Sequence, residues 1–323
     1  MSTRTDDLAQ LRGEVEAGRF VRQANAFADR ITADGSSGFP AEAGRYVLYW
    51  CSACPWAHRQ VIVRELRGLT GAIDLVRVNP WRDESGWNMQ DGYDDHVNGF
   101  THLSEAYLAT DPAYEARVTV PTIWDMVTGR VVTNDYPVID IQLNDEFGAV
   151  AEHDHVDLHP EDLRDEIAEL DRLIYHDVNN GVYKAGFSTT QDAYEDAFDA
   201  LFGRLDWLED RLADRRFLCG DRLTLADVRL FTTLVRFDAV YHNHFRCNRN
   251  TLRELPNLWG YARDLFQTRG FGTTVDFDEI KRHYYTTHEK LNPSAIVPKG
   301  PAAGVADWTA AHGRDGLGPA AAV

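Results

Sequence analysis

The sequence predicts an α/β domain, a small mixed sheet flanked by helices, followed by an all-α domain. Three observations carry this. The apolar run Tyr46-Val47-Leu48-Tyr49-Trp50 reads as a strand and gives way to a helical pattern just after Cys54. Strand-like and helical segments then alternate as far as residue 150, in the order βαβ then ββα. Beyond residue 150, apolar residues recur only at helical spacing.

Taken in order, residues 44–50 are expected as a strand, 55–68 as a helix, 73–79 as a second strand and 102–110 as a helix. Arg117 to Asp125 and Arg130 to Thr133 read as a strand pair around the turn Val127-Thr128-Gly129, with a helix from Pro137. Further on, Leu163, Ile167, Leu170, Leu173 and Ile174 keep one helical face, and Phe198, Leu201, Leu205 and Leu208 keep another. A helix start is written at Thr224-Leu225-Ala226-Asp227, where Thr224 can cap and Asp227 can return the bond. The expected division is an N-terminal extension over 1–42, the α/β domain over 43–150, the helical domain over 160–298 and a loosely ordered Ala- and Gly-rich tail over 299–323.

Composition bounds the function. The chain has 323 residues, of which 44% are hydrophobic, enough for two domains with substantial cores. A net charge of −18 opposes a nucleic-acid footprint and disfavours anionic membranes. No apolar stretch approaches the roughly 18 residues of a membrane span, and Met1 to Asp7 lacks a signal-peptide layout, so a cytoplasmic location is expected. Neither a phosphate loop nor a dinucleotide fingerprint is present, so no nucleotide cofactor is expected. No metal is expected either: His242-Asn243-His244-Phe245-Arg246-Cys247 holds ligand types, but no second cluster accompanies it, and His153 and His155 lie in a polar connector. Arg229, Arg236, Arg246 and Arg249 fall close together and read equally as an anion site or as paired surface charges.

The chemistry points to Cys54. A cysteine at a strand-to-helix junction faces unpaired amides and the positive end of the helix, which favour thiolate over thiol. A free cysteine, with a pKa of about 8.5, is only a few per cent ionised at neutral pH, whereas such surroundings bring the value to roughly 3.5–7.5. Pro55 suits the first helical turn, where its missing N–H costs nothing. Cys51 completes a CxxC, but proline follows the second cysteine, so Cys54 is the expected nucleophile and a dithiol mechanism is secondary.

A thioredoxin-like half with a Cys-Pro nucleophile and a helical half with Leu223-Thr224-Leu225-Ala226-Asp227 resemble the glutathione transferase (GST) superfamily. More narrowly, eight spaced motifs resemble the glutathionyl-hydroquinone reductases, the Xi class. They are Cys54 to Arg59, Gly86-Trp87, Asp111 to Tyr114, Arg117 to Pro121, Gly181 to Phe187, His244 to Asn248, Pro256 to Trp259 and His283 to Tyr285, in that order over roughly residues 45 to 301. The resemblance implies a thiol-dependent reductase in which Cys54 attacks the sulfur of an S-conjugated hydroquinone, releases the hydroquinone and is left as a mixed disulfide that a second thiol resolves. Glutathione or another low-molecular-weight thiol is the implied co-substrate, with no tightly bound cofactor. The implied partners are that thiol and an aromatic conjugate, in a homodimer formed through the helical domains.

The resemblance also implies roles. Tyr183 and Tyr284 are substrate-side tyrosines, able to hydrogen-bond the hydroquinone oxygen and help deliver a proton. Trp87 lies along the thiol, Arg117 meets a carboxylate, and Val120 pairs its backbone with the ligand, followed by a cis Pro121. One departure stands out: where the family carries Glu-Ser at a helix start for the γ-glutamyl end of glutathione, this chain has Asn134-Asp135-Tyr136-Pro137. Asp135 keeps a shorter acid, while Tyr136 replaces a small hydroxyl, which points to a thiol without a γ-glutamyl arm, such as mycothiol. Two other readings of the fold are an Omega-type thiol transferase or dehydroascorbate reductase, and a ligand-binding protein without turnover.

Overall fold

Strand β1 (Tyr46–Trp50) is buried along its whole length, as a strand with neighbours on both sides should be when both sheet faces are covered. The computed structural model describes residues 14–152, 156–301 and 305–321. Met1 to Asp7, His153 and His155 lie outside these. On one side β1 pairs in parallel with β2 (Ile73–Arg77), Tyr46 opposite Ile73. On the other it pairs antiparallel with β3 (Thr122–Asp125), which pairs antiparallel with β4 (Arg130–Thr133), giving the order β2-β1-β3-β4. The parallel step needs a crossover, supplied by α1 (Pro55–Leu66). Arg64 closes the return by donating to the carbonyls of Ile73 and Thr70, both at 2.6 Å. The β3–β4 hairpin is locked by Arg45, whose guanidinium forks onto the buried Asp125 carboxylate at 2.9 and 2.8 Å.

Two further helices belong to this unit, α2 (Leu103–Thr110) and α3 (Tyr136–Asp145). The strand expected over 117–125 is shorter: only Thr122–Asp125 pairs in the sheet, because the cis Val120–Pro121 bond interrupts the ladder before it. The chain divides into two compact units. The first gathers described residues 23–152 and 278–289. Residues 23–42, expected as part of an extension, therefore join the sheet unit. Ala28 bridges Thr133, Phe27 N–H donates to the Asn134 side chain at 3.0 Å, and Ile31 N–H donates to Gln142 Oε1.

The second unit comprises described residues 14–22, 156–277, 290–301 and 305–321. Its main helices are α4 (Arg164–Ile174), α5 (Gly181–Phe187), α6 (Gln191–Arg211), α7 (Leu225–Arg236) and α8 (Pro256–Gln267). Ile167, Leu170 and Ile174 of α4 are buried, as are Leu201, Leu205 and Leu208 of α6, so these positions are core, while Leu163, Leu173 and Phe198 on the same expected faces are half-buried. The capping box at α7 is present: Asp227 accepts from the Thr224 N–H at 2.8 Å, and its other oxygen takes the Leu218 N–H and the Tyr261 hydroxyl. Helix α9 (Phe277–Thr287) follows, and from Asp278 onward it belongs to the first unit.

The tail departs from the expected looseness. Trp308 is buried against Trp259 at 4.8 Å and Phe266 at 5.2 Å between ring centres, and Arg216 donates to Gly318 O at 2.8 Å. An indole and a buried guanidinium outweigh the Ala- and Gly-rich composition around them. Among the described residues, no helix is long and apolar enough to cross a membrane.

Candidate active site

Cys54 is the N-cap residue of α1, in extended conformation, with Pro55 in the first turn. Its backbone carbonyl accepts from His58 N–H at 2.9 Å, so the helix begins on the cysteine itself. The thiol donates to Val120 O at 3.5 Å, placing the sulfur next to the cis Val120–Pro121 bond. Cys54 is half-buried, whereas Cys51, Cys219 and Cys247 are buried, and all four are free thiols. Burial pushes the Cys51 thiol up to about 12, which removes it as a thiolate at neutral pH. Of the CxxC pair, only Cys54 is thus both accessible and at the helix start.

Several of the expected site residues lie in the same unit as Cys54. Trp87 is buried, its ring stacked on His283 at 5.3 Å and 16° with the Arg82 guanidinium over it at 5.1 Å. Its indole N–H is buried with no acceptor among the described residues, an unspent donor suited to a ligand carbonyl or carboxylate. His283 is fixed in turn by Pro80 O, 2.7 Å from Nδ1. Tyr284 follows on α9, buried, with His283 and His288 edge-on to its ring. The backbone of Arg117 is clamped by Gln23 on both its N–H and its carbonyl, at 3.1 Å each, and the carbonyl also takes the Tyr114 hydroxyl at 3.0 Å.

The departure at the start of α3 has a defined structure. Asp135 is the N-cap residue, and its carboxylate accepts from Arg30 and from Asn25, both at 2.9 Å. Tyr136 is buried, with its ring 4.7 Å from that of Trp56 and 6.0 Å from the buried guanidinium of Arg59. Trp56 lies on the first turn of α1, two residues after Cys54.

Tyr183 lies in the second unit, on α5. Phe20, Phe187, Tyr241 and Phe245 surround its ring at 5.3–6.3 Å between ring centres, and the Arg22 guanidinium sits 4.9 Å from its centre. The arginines of the 229–249 segment go to separate partners: Arg229 to Asp171, Arg236 to Thr232 O, Arg246 to Gly186 O and Arg249 to Asp206. That division favours structural pairing over a shared anion site. Among the described residues, no three His, Cys, Asp or Glu side chains are grouped as metal ligands would be.

Residue-level reading of the sequence passed over Arg30, Asn25, Arg82 and Glu279. The first two lie in an irregular polar segment whose destination no periodicity announces. Glu279 sits on a helix far along the chain from the cysteines.

The family descriptions "Glutathione S-transferase, N-terminal domain" and "Glutathione S-transferase, C-terminal domain" match residues 53–140 and 191–264. The glutathionyl-hydroquinone reductase PcpF of Sphingobium chlorophenolicum is 45% identical over 88% of this chain and 90% of its own length. A Xi-class GST from Natrialba magadii superposes with a TM-score of 0.88 at 46% identity, covering 93% of this chain and 94% of that one. The glutathione-bound structure of YqjG, a glutathione transferase homolog from Escherichia coli K-12, gives 0.85 at 41% identity over 90% and 99%.

Proposed function

The chain belongs to the glutathionyl-hydroquinone reductases of the glutathione S-transferase superfamily and is a thiol-dependent reductase; from that premise we propose that it strips the thiol from S-conjugated hydroquinones through Cys54. The observation that supports this most directly is the placing of one half-buried thiol at the N-cap of α1 and against Val120 O. In the first step the Cys54 thiolate attacks the conjugate's sulfur. An S–S bond forms, the C–S bond breaks, and its electron pair leaves with the aryl carbon, which takes up a proton. In the second step a free thiol attacks the mixed disulfide, releases Cys54 as thiolate and departs as the oxidised disulfide. The conjugate's thioether sulfur and one free thiol are each oxidised by one electron and the aryl carbon is reduced by two, so the electrons balance without metal or nicotinamide.

In this reading the indole N–H of Trp87 and the backbone of Val120 hold the thiol, and Arg117 meets its carboxylate. The Tyr284 phenol donates to the hydroquinone oxygen. Tyr183 is assigned the companion role on its motif, and its check is the loss of turnover in Tyr183→Phe. The site is assigned to a cytoplasmic enzyme.

The thiol itself is proposed to lack a γ-glutamyl arm, as mycothiol does. Two features support this: the Asp135 carboxylate is already neutralised by Arg30, so an incoming ammonium has to displace a guanidinium, and the Tyr136 ring stands where the family carries a small hydroxyl. The test measures hydroquinone release from synthetic conjugates of glutathione and of mycothiol, each with its own thiol as reductant. Cys54→Ser should abolish release from both while leaving ligand binding. Lower KM and higher kcat with glutathione would refute the assignment of the thiol. Undiminished turnover in Cys54→Ser would refute the mechanism.

A further inference from the structure

The turn that presents Cys54 is tied to helix α9 through the Glu279 carboxylate. Ser52, between the two cysteines and buried, donates its hydroxyl to Glu279 in the first turn of α9. The other oxygen of Glu279 accepts from the Tyr93 hydroxyl at 2.5 Å, and the Arg77 guanidinium at the end of β2 lies 3.4 Å from it. Burial, then the Glu279 carboxylate, push the Tyr93 phenol up, so it remains a donor. Three separate segments thus converge on one side chain, with both carboxylate oxygens engaged.

One helical turn beyond Glu279, His283 meets Pro80 O and the Trp87 ring, and the next residue is Tyr284, rotated by about 100° around the axis. Glu279 and His283 share one face of α9, and between them they fix both the axial position and the rotation of the helix against the first unit. Resting on the reading above, in which Cys54 attacks and Tyr284 donates, we propose that Glu279 is a positioning residue: it couples the Cys54 turn to α9 and so sets where the Tyr284 hydroxyl stands relative to the sulfur. The side chain touches neither reactant. Its effect reaches the reaction only through Tyr284.

That indirectness gives the proposal its test, a double-mutant cycle on hydroquinone release with wild type, Glu279→Ala, Tyr284→Phe and the double variant. Glu279→Ala is expected to lower kcat by about 10–100-fold, the scale of a misplaced catalytic group, with KM nearly unchanged. On the Tyr284→Phe background the same change should cost less than about 2-fold, because the group it positions is already gone. The rate of Cys54 alkylation by iodoacetamide should stay as in wild type. Glu279→Gln, which can still accept a hydroxyl, should lose less than Glu279→Ala. Should Glu279→Ala not fold, Ser52→Ala cuts the same tie from the other end and is carried through the same cycle. Equal losses on both backgrounds, or a slowed alkylation that accounts for the loss, overturn the proposal and leave the proposed reaction standing. A wild-type protein with no release of hydroquinone overturns both.

Discussion

Two glycine-to-alanine changes, on neighbouring helices of the second unit, should have opposite signs. In an unobstructed helix, alanine is favoured over glycine by about 0.5–1 kcal/mol, mostly because the unfolded chain has less freedom to lose. Gly203, on the exposed side of α6, meets this condition: a Cβ there finds nothing within 4 Å. At Gly186 on α5, a Cβ would lie 2.4 Å from Cγ and from Cδ1 of Phe245, and 2.9 Å from its Cβ. Spinning the phenyl ring moves neither Cγ nor Cβ. The ring is also held by Tyr241, stacked at 5.5 Å and 17°, and by Phe187 at 5.1 Å. Relief therefore requires a backbone shift, at the upper end of the about 1–3 kcal/mol typical of overpacking. Set against the propensity gain, Gly186→Ala should destabilise by about 1–2 kcal/mol and Gly203→Ala should stabilise by about 0.5–1 kcal/mol. Urea unfolding with unchanged m-values reads both as opposite shifts in midpoint. Equal stabilisation by the two would show that Phe245 yields freely and would refute the reasoning.

Burial, with Arg246 nearby, pushes His244 down to about 4, so the folded chain keeps it neutral where the unfolded chain, near its ordinary value of about 6.5, protonates. The unfolded state then binds more protons between those values, and stability should fall by up to about 3 kcal/mol as pH drops from 6.5 to 4. His244→Gln should flatten that part of the pH–stability curve, and an unchanged slope would remove His244 as its source. Asp264 receives two 2.8 Å bonds from Arg216, with both side chains only 5% exposed. Asp264→Ala removes the bidentate partner of a buried guanidinium, leaving it the Gly318 carbonyl and the exposed Asp315 carboxylate 3.7 Å away, and should cost about 3–5 kcal/mol by denaturant titration, while a cost below about 1 kcal/mol would show that Asp315 or water takes over the charge. Trp308→Ala, which removes the indole clamped by Trp259 and Phe266, should cost about 3 kcal/mol, whereas a neutral result would return the tail to the looseness its composition suggests.

What the sequence disclosed follows the physics of each segment. Tyr46 to Trp50, the Cys54-Pro55 junction and the Thr224–Asp227 cap are short-range signals, and each lies where its local pattern places it. The pattern from Arg117 reads as a longer strand than Thr122–Asp125 because β-branched composition alone does not show where a proline ends a ladder. Long-range pairings were hidden for a different reason. Arg30 to Asp135 and Ser52 to Glu279 join residues 105 and 227 positions apart, and nothing in the local pattern of either partner names the other. The cysteine of the candidate site was therefore legible from its junction, Trp87 and Tyr284 only from motif order, and the ties that hold them not at all.

The return of residues 278–289 to the first unit has a consequence for biosynthesis. When residue 152 emerges from the ribosome, the four strands of the β2-β1-β3-β4 sheet and α1 are available, yet Ser52, Tyr93 and Trp87 still lack Glu279 and His283. At translation speeds of about 5–20 residues per second, roughly six to twenty-seven seconds pass before that helix arrives. During that interval the nascent chain carries Cys54 without the helix that bears Tyr284, and any truncation upstream of Asp278 freezes it there. Completion of helix α9 is thus also the point at which the Cys54 turn gains its tie to Glu279.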